Sequence, residues 1–193
     1  GSGLKELAAE GIATSSNTIL EYLLVRLLAN RGIPAGQIQV VEVKSIPIRL
    51  QMLLAGQVAG AVLPEPLVTL AETKGARVLI DDRGRELSAT VIAFTEHFLG
   101  TSPNGAKAFL RALQKASSYI NAHPKEVRPI MIRECRVPET LKDTFPIPAY
   151  PRLTLPDQAQ VMDVYQWLQG KGIIRKQMTF REIVADGYLP RTP

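Results

Sequence analysis

In the N-terminal part of the chain, short unbroken apolar runs alternate with longer stretches whose apolar residues recur every three to four positions. The run IATSS at 12–16 predicts a buried strand. NTILEYLLVRLLANRG, which follows it, sets Ile19, Leu20, Leu23, Leu24, Leu27 and Leu28 on one face and stops at Gly32, the pattern of a helix and its terminator. IQVVEV at 38–43 predicts a second strand, and PIRLQMLLAG a second helix with Ile48, Met52 and Leu53 or Leu54 inward and Gly56 past its end. A third round follows, with GAVLP at 60–64, EPLVTLAETKG closing at Gly75, and RVLIDD at 77–82. Parallel strands need a crossover between them, and a helix is the usual one, so this alternation predicts an α/β fold with a parallel sheet.

The pattern changes after DDRGREL. One β-rich stretch, ATVIAF at 89–94, leads into a mostly helical region. NGAKAFLRALQKASSYINAHP aligns Ala108, Phe109, Ala112, Leu113, Ala116 and Ile120 as an apolar stripe, and Asn104 after Pro103 is a candidate cap. KEVRPIMIREC predicts a separate helix. FPIPAYPRLTLP at 145–156 is excluded from regular helix, since each proline removes an amide donor and pushes its predecessor to extended geometry. DQAQVMDVYQWLQGKG is amphipathic again, with Val161, Val164, Tyr165 and Leu168 on one side.

Composition narrows the picture. The chain has 193 residues, of which 46% are hydrophobic and 21% charged, as in an ordinary globular protein. A formal charge of +5 raises the question of nucleic acid, but Lys and Arg are scattered singly, and the Arg175, Lys176 and Arg181 group lacks interleaved aromatics, so no nucleic-acid partner is expected. Cys135 is alone, which excludes an internal disulfide and a paired-thiolate metal site. No apolar run has the length of a membrane span. The opening Gly-Ser-Gly reads as a linker remnant, with any native leader expected to lie outside this sequence.

The candidate chemistry sits where predicted strands end. Ser15, Ser16, Asn17 and Thr18 occupy the passage from the first strand to its helix. Their hydroxyls and amide can cap the helix or can join its amides in holding an anion, and spacing alone leaves both open. Glu65 follows the third strand between Pro64 and Pro66; it is either a first-turn acid or a cleft carboxylate. Ser45 in VKSIP is a cap or a cleft hydroxyl. In an open parallel sheet these ends converge on one edge, where ligands bind.

The stretches IATSSNTILEYLLVRLLANRGI, SIPIRLQMLLAGQVAGAVLPEPLVTLAETKGARVLIDD, TVIAF and AKAFLRALQKASSYINAHP resemble the substrate-binding proteins of ABC importers, in the branch that takes nitrate, alkanesulfonates, taurine and thiamine-pyrimidine precursors. The resemblance implies two α/β lobes of the periplasmic-binding-protein-like fold closing on a small solute, with Ser15, Ser16, Asn17, Thr18, Ser45, Pro64 and Glu65 as ligand contacts. It further implies a second lobe at 12–87, a returning hinge strand at 88–94, and a helical C-terminal part of the first lobe at 95–193. The family's opening βα region has no counterpart here, so a truncated first lobe and self-association of the uncovered helices are expected. Ala59 in GQVAGA also departs from the pattern, which commonly has an acidic residue there.

Function follows from that resemblance: non-enzymatic binding of a small anionic or heterocyclic solute, delivered to an ABC permease from a periplasmic or extracytoplasmic, membrane-anchored position. Neither a cofactor nor a metal is expected. No GxSxG, GxxxxGK[ST] or GxGxxG motif is present, and neither His97 nor His123 belongs to a recognisable triad. The alternative is an effector-sensing domain of a transcription regulator, which would need a helix-turn-helix that the chain does not contain. A related pyrimidine-precursor synthase would need a cysteine-rich motif that Cys135 alone cannot supply.

Overall fold

The computed structural model describes residues 3–84 and 90–190. The chain divides into two compact units, Gly1–Ala89 with Pro138–Phe145, and Thr90–Val137 with Pro146–Pro193.

The first unit is the α/β one. It runs α1 (Leu4–Glu10), β1 (Ile12–Thr14), α2 (Ile19–Ala29), β2 (Val40–Glu42), α3 (Ile46–Leu54), β3 (Gly60–Ala61) and α4 (Leu67–Thr73). The strands form a parallel sheet in the order β2-β1-β3, with Ile12 opposite Val40 on one side and Gly60 on the other. Ala8, Ile12, Leu24, Leu28 and Ile33 form the core, with Leu4, Ile38 and Val62 packed against it. Gly11 turns the chain from α1 into β1 at φ 128°, and a Cβ there would meet Val41 Cγ2 at 3.1 Å, so both backbone and space select glycine.

The pattern missed α1, whose stretch is short and carries acidic and basic residues. It also misplaced the inner face of α3. Arg49 and Leu50 are buried there, whereas Ile48 and Leu54 are exposed and Met52 and Leu53 half-buried. An apolar stripe was expected, but the buried position went to the side chain with donors for the sheet's carbonyls.

RVLIDD at 77–82 forms no strand, and the same holds for 90–94 of the expected returning strand; its residues 88–89, like 85–87 at the end of the expected second lobe, lie outside the described residues. A strand exists only as a member of a ladder. Val78, Leu79, Val91 and Ile92 are all exposed, and no described strand pairs with either run.

The second unit contains α5 (Glu96–Thr101), α6 (Pro103–Ala122), α7 (Pro124–Glu134), α8 (Gln158–Gly170) and α9 (Phe180–Ile183). Along α6 the buried residues are Ala106, Leu110 and Ser117, while Ala108, Phe109, Ala112 and Ala116 of the expected stripe are exposed. The cause is polar. Gln114 and Asn121 share the Leu110–Ser117 side at helical spacing, and they grip the proline-dense connector. Leu153 N–H donates to Gln114 Oε1 at 2.7 Å, Asn121 Nδ2 donates to Tyr150 O at 2.7 Å, and Tyr150 N–H donates to Asn121 Oδ1 at 2.8 Å. A connector that cannot form its own regular hydrogen bonds thus satisfies its backbone on the helix, covering that stripe. In α8, Tyr165 is buried as expected; its hydroxyl donates to Lys176 O and accepts from Met178 N–H.

Candidate functional site

The carboxyl ends of β1, β2 and β3 meet around one buried guanidinium. Arg49 has no solvent exposure, and it donates from Nε to Val43 O at 2.7 Å, from Nη1 to Val62 O at 3.0 Å and from Nη2 to Ser15 Oγ at 2.6 Å. Each strand end therefore contributes one acceptor. Val43 N–H and Val62 N–H already reach across to β1, at Thr14 O and Ala13 O. Because a strand residue's N–H and C=O point to the same neighbour, the carbonyls of Val43 and Val62 also face β1, and the guanidinium takes both in place of backbone amides. Arg49 closes the ladder on either side of β1 and leaves Ser15 to Thr18 to diverge as a turn.

That turn is tied from several directions. Thr18 Oγ1 donates to Ser15 O at 2.7 Å, which leaves its lone pairs toward Ser15 Oγ at 3.4 Å. Asn17 stands at φ 63°, a left-handed conformation that asparagine tolerates better than most residues. Its N–H donates to Glu21 Oε2 at 2.6 Å, so a carboxylate of α2 serves the helix start. From β2, Glu42 Oε2 accepts from Ser16 N–H at 2.8 Å and Ser16 Oγ at 2.5 Å. These two hydrogen bonds, the hydroxyl first, hold the Glu42 carboxyl below its usual pKa, with Lys44 and Arg49 assisting. Burial lowers the Arg49 pKa, and attraction to Glu42 opposes this.

Neither Thr18 nor Ser45 caps its helix with a side-chain hydrogen bond, although both hold the cap position. Ser15, Ser16 and Thr18 come together on one network with Arg49 and Glu42. Asn17 contributes its backbone, and its side chain is exposed. Ser45 and Pro64 are half-buried at the two neighbouring strand ends. Glu65 is exposed and turns to its own helix, where Oε2 accepts from Thr69 N–H at 3.2 Å and Thr69 Oγ1 at 2.9 Å.

Sequence reasoning passed over Arg49 and Glu42. Arg49 looked like one charge on an amphipathic helix, and Glu42 like the outward residue of a strand. The signal available was position: a long cation one turn into the helix that follows a strand, and an acid at the end of the adjacent one. Among the described residues, no group of three or more His, Cys, Asp or Glu side chains is placed to hold a metal, and no helix is long and apolar enough to cross a membrane.

Residues 9–134, most of the chain and all of this strand-end network, match the NMT1-like family. The chain belongs to that family. Among solved structures, this NMT1-like chain is similar to the alkanesulfonate-binding protein SsuA from Xanthomonas axonopodis pv. citri bound to MOPS, with a TM-score of 0.68 and 18% sequence identity. The match covers 89% of the NMT1-like chain and 61% of the SsuA chain, so it spans less than two thirds of that structure's length. At this identity the likeness is one of fold: an α/β, periplasmic-binding-protein-like architecture with a parallel sheet. No curated protein sequence matches the chain.

Proposed function

We propose that this NMT1-like chain binds a small solute, anionic or heterocyclic, at the Ser15–Thr18 turn, as part of a substrate-binding protein that serves an ABC permease from the periplasmic or extracytoplasmic side. The observation that carries the reading is the buried Arg49, whose charge lies directly behind Ser15 and whose three hydrogen bonds go to neutral acceptors. A cation held by neutral dipoles at the carboxyl edge of a parallel sheet favours a negative group beside it. Ser15, Ser16, Asn17 and Thr18 are the proposed primary contacts, with Ser45, Pro64 and Glu65 on the adjoining strand ends. The reading also takes 12–87 as the second lobe, 88–94 as the hinge and 95–193 as the helical portion of the first lobe. No turnover is expected of it, and self-association through the exposed Val91, Ile92, Phe109 and Ile130 would be read by sedimentation.

Isothermal titration of the full chain against methanesulfonate, taurine, nitrate and a 4-aminopyrimidine tests the reading. Saturable binding of at least one, weakened by Ser15→Ala and by Thr18→Ala, is the expected result. Binding that neither substitution alters would move the site elsewhere.

A further inference from the structure

Resting on that reading of the turn, the geometry points to Glu42 as a resident competitor: we infer that its carboxylate occupies the Ser16 donors in the unliganded chain, and that a solute oxyanion binds there by displacing it. Glu42 stands opposite Thr14 in the parallel register, so its side chain reaches forward along the sheet edge to Ser16. One oxygen, Oε2, takes both Ser16 donors, the backbone N–H and the hydroxyl. That is the arrangement an oxyanion would take at a strand-to-helix turn, and charge-assisted hydrogen bonds of this kind are about twice as strong as neutral ones.

The two carboxylates at the turn differ in one respect that decides which can leave. Glu21 is buried, and its departure would strand a desolvated carboxylate. Glu42 is exposed and can swing into water while keeping its charge hydrated. Arg49 stays where it is, because its donors are held by Val43 O, Val62 O and Ser15 Oγ rather than by Glu42. An anion arriving at Ser16 therefore replaces one negative charge with another above the same buried cation. The apparent affinity is reduced by the fraction of time Glu42 holds the donors, and a carboxylate seated nine tenths of the time weakens binding about tenfold. Glu42 thereby lowers the affinity of any oxyanion at Ser16 by the same factor.

The test uses the 15N-labelled full chain and methanesulfonate, a monovalent oxyanion with a minimal remainder. Dissociation constants come from the Ser16 amide resonance in wild type, Glu42→Gln, Glu42→Ala and the control Glu10→Gln, which removes an exposed carboxylate from the end of α1, ahead of β1. The expected result is binding about tenfold tighter in both Glu42 variants and unchanged in the control. A Ser16 resonance that still titrates, with the same or weaker affinity in the Glu42 variants, overturns the displacement while leaving the solute site standing. No movement of Ser15, Ser16 or Thr18 resonances in any form overturns the site itself and the displacement with it. Should the Glu42 variants fail to fold, the wild-type Glu42 side-chain carboxyl 13C resonance decides: it shifts toward that of a water-exposed carboxylate on saturation, or it stays put and the inference falls.

Discussion

Two strand ends in the first unit both lead through a short polar turn into a helix and finish differently. At β1, Ser15 to Thr18 precede α2; at β3, Pro64 and Glu65 precede α4. Both place polar groups at the carboxyl edge of the sheet. The β1 turn is joined to segments far away in sequence, with Ser15 bonded to Arg49 across 34 residues and Ser16 to Glu42 across 26. Glu65 finds Thr69, four residues on. The difference lies in the neighbours rather than in the turn residues. β1 is the central strand and has a strand end on either side, whereas β3 is an edge strand with one. A central position in a parallel sheet supplies partners from both flanks, and an edge leaves a side chain to its own helix.

The largest test of this contrast removes the shared partner. Arg49→Met leaves Val43 O and Val62 O without donors at a partly buried junction, and the expected loss of stability is about 2–3 kcal/mol, measured by urea unfolding. Arg49→Lys should recover less than half of that, since an ammonium cannot reproduce a planar fork aimed at three acceptors. A small effect of both would mean that the strand ends hold together without the guanidinium.

Neighbouring hydroxyls sharpen it further. Ser15→Ala removes the Arg49 acceptor and should cost about 1–1.5 kcal/mol. Thr14 is fully buried, and among the described residues its Oγ1 has no hydrogen-bond partner. Thr14→Val therefore keeps the shape and should stabilise the chain by up to about 1 kcal/mol in the same unfolding measurement. Opposite signs at consecutive positions, the last of β1 and the first of the turn, are the expected outcome.

A smaller, pH-dependent effect belongs to Glu42. Its folded-state pKa is depressed, so the stability it lends is fully present above the ordinary glutamate pKa of about 4.3 and is lost as pH falls through the lower folded value. Glu42→Gln should lower the thermal midpoint slightly near neutrality, where that stability is present, and flatten its decline as pH falls, so that the variant and wild type converge at low pH. The smallest effect is expected at β3, where Glu65→Ala removes a local, exposed contact worth a few tenths of a kcal/mol. A Glu65 effect as large as that of Ser15 would erase the distinction between the two strand ends.

Much of the first unit was legible in the order of residues. The strand-helix alternation gave β1, α2, β2, α3, β3 and α4, and the resemblance marked Ser15 to Thr18 as a turn to watch. The faces of the helices were less legible. In α6 two stripes compete, an apolar one through Phe109 and Ala116 and a mixed one through Leu110 and Ser117. The second won because Gln114 and Asn121 bind the connector backbone. In α3 the apolar count favoured Ile48, yet Arg49 took the interior because three strand-end acceptors were waiting for it.

By itself, the sequence determined the properties that one segment can have alone. Those are the period of its apolar residues, the sites where glycine or proline interrupts it, and the polar character of each strand end. Such properties depend on local backbone geometry and on whether enough apolar surface lies along a stretch to be buried. Tertiary structure alone decided which stretches became strands, which stripe of a helix faced inward, and which carboxylate came to rest on Ser16. Each of those depends on a hydrogen-bond partner or a packing surface supplied by a distant segment, and a buried donor or acceptor without its partner costs more than a local preference can return.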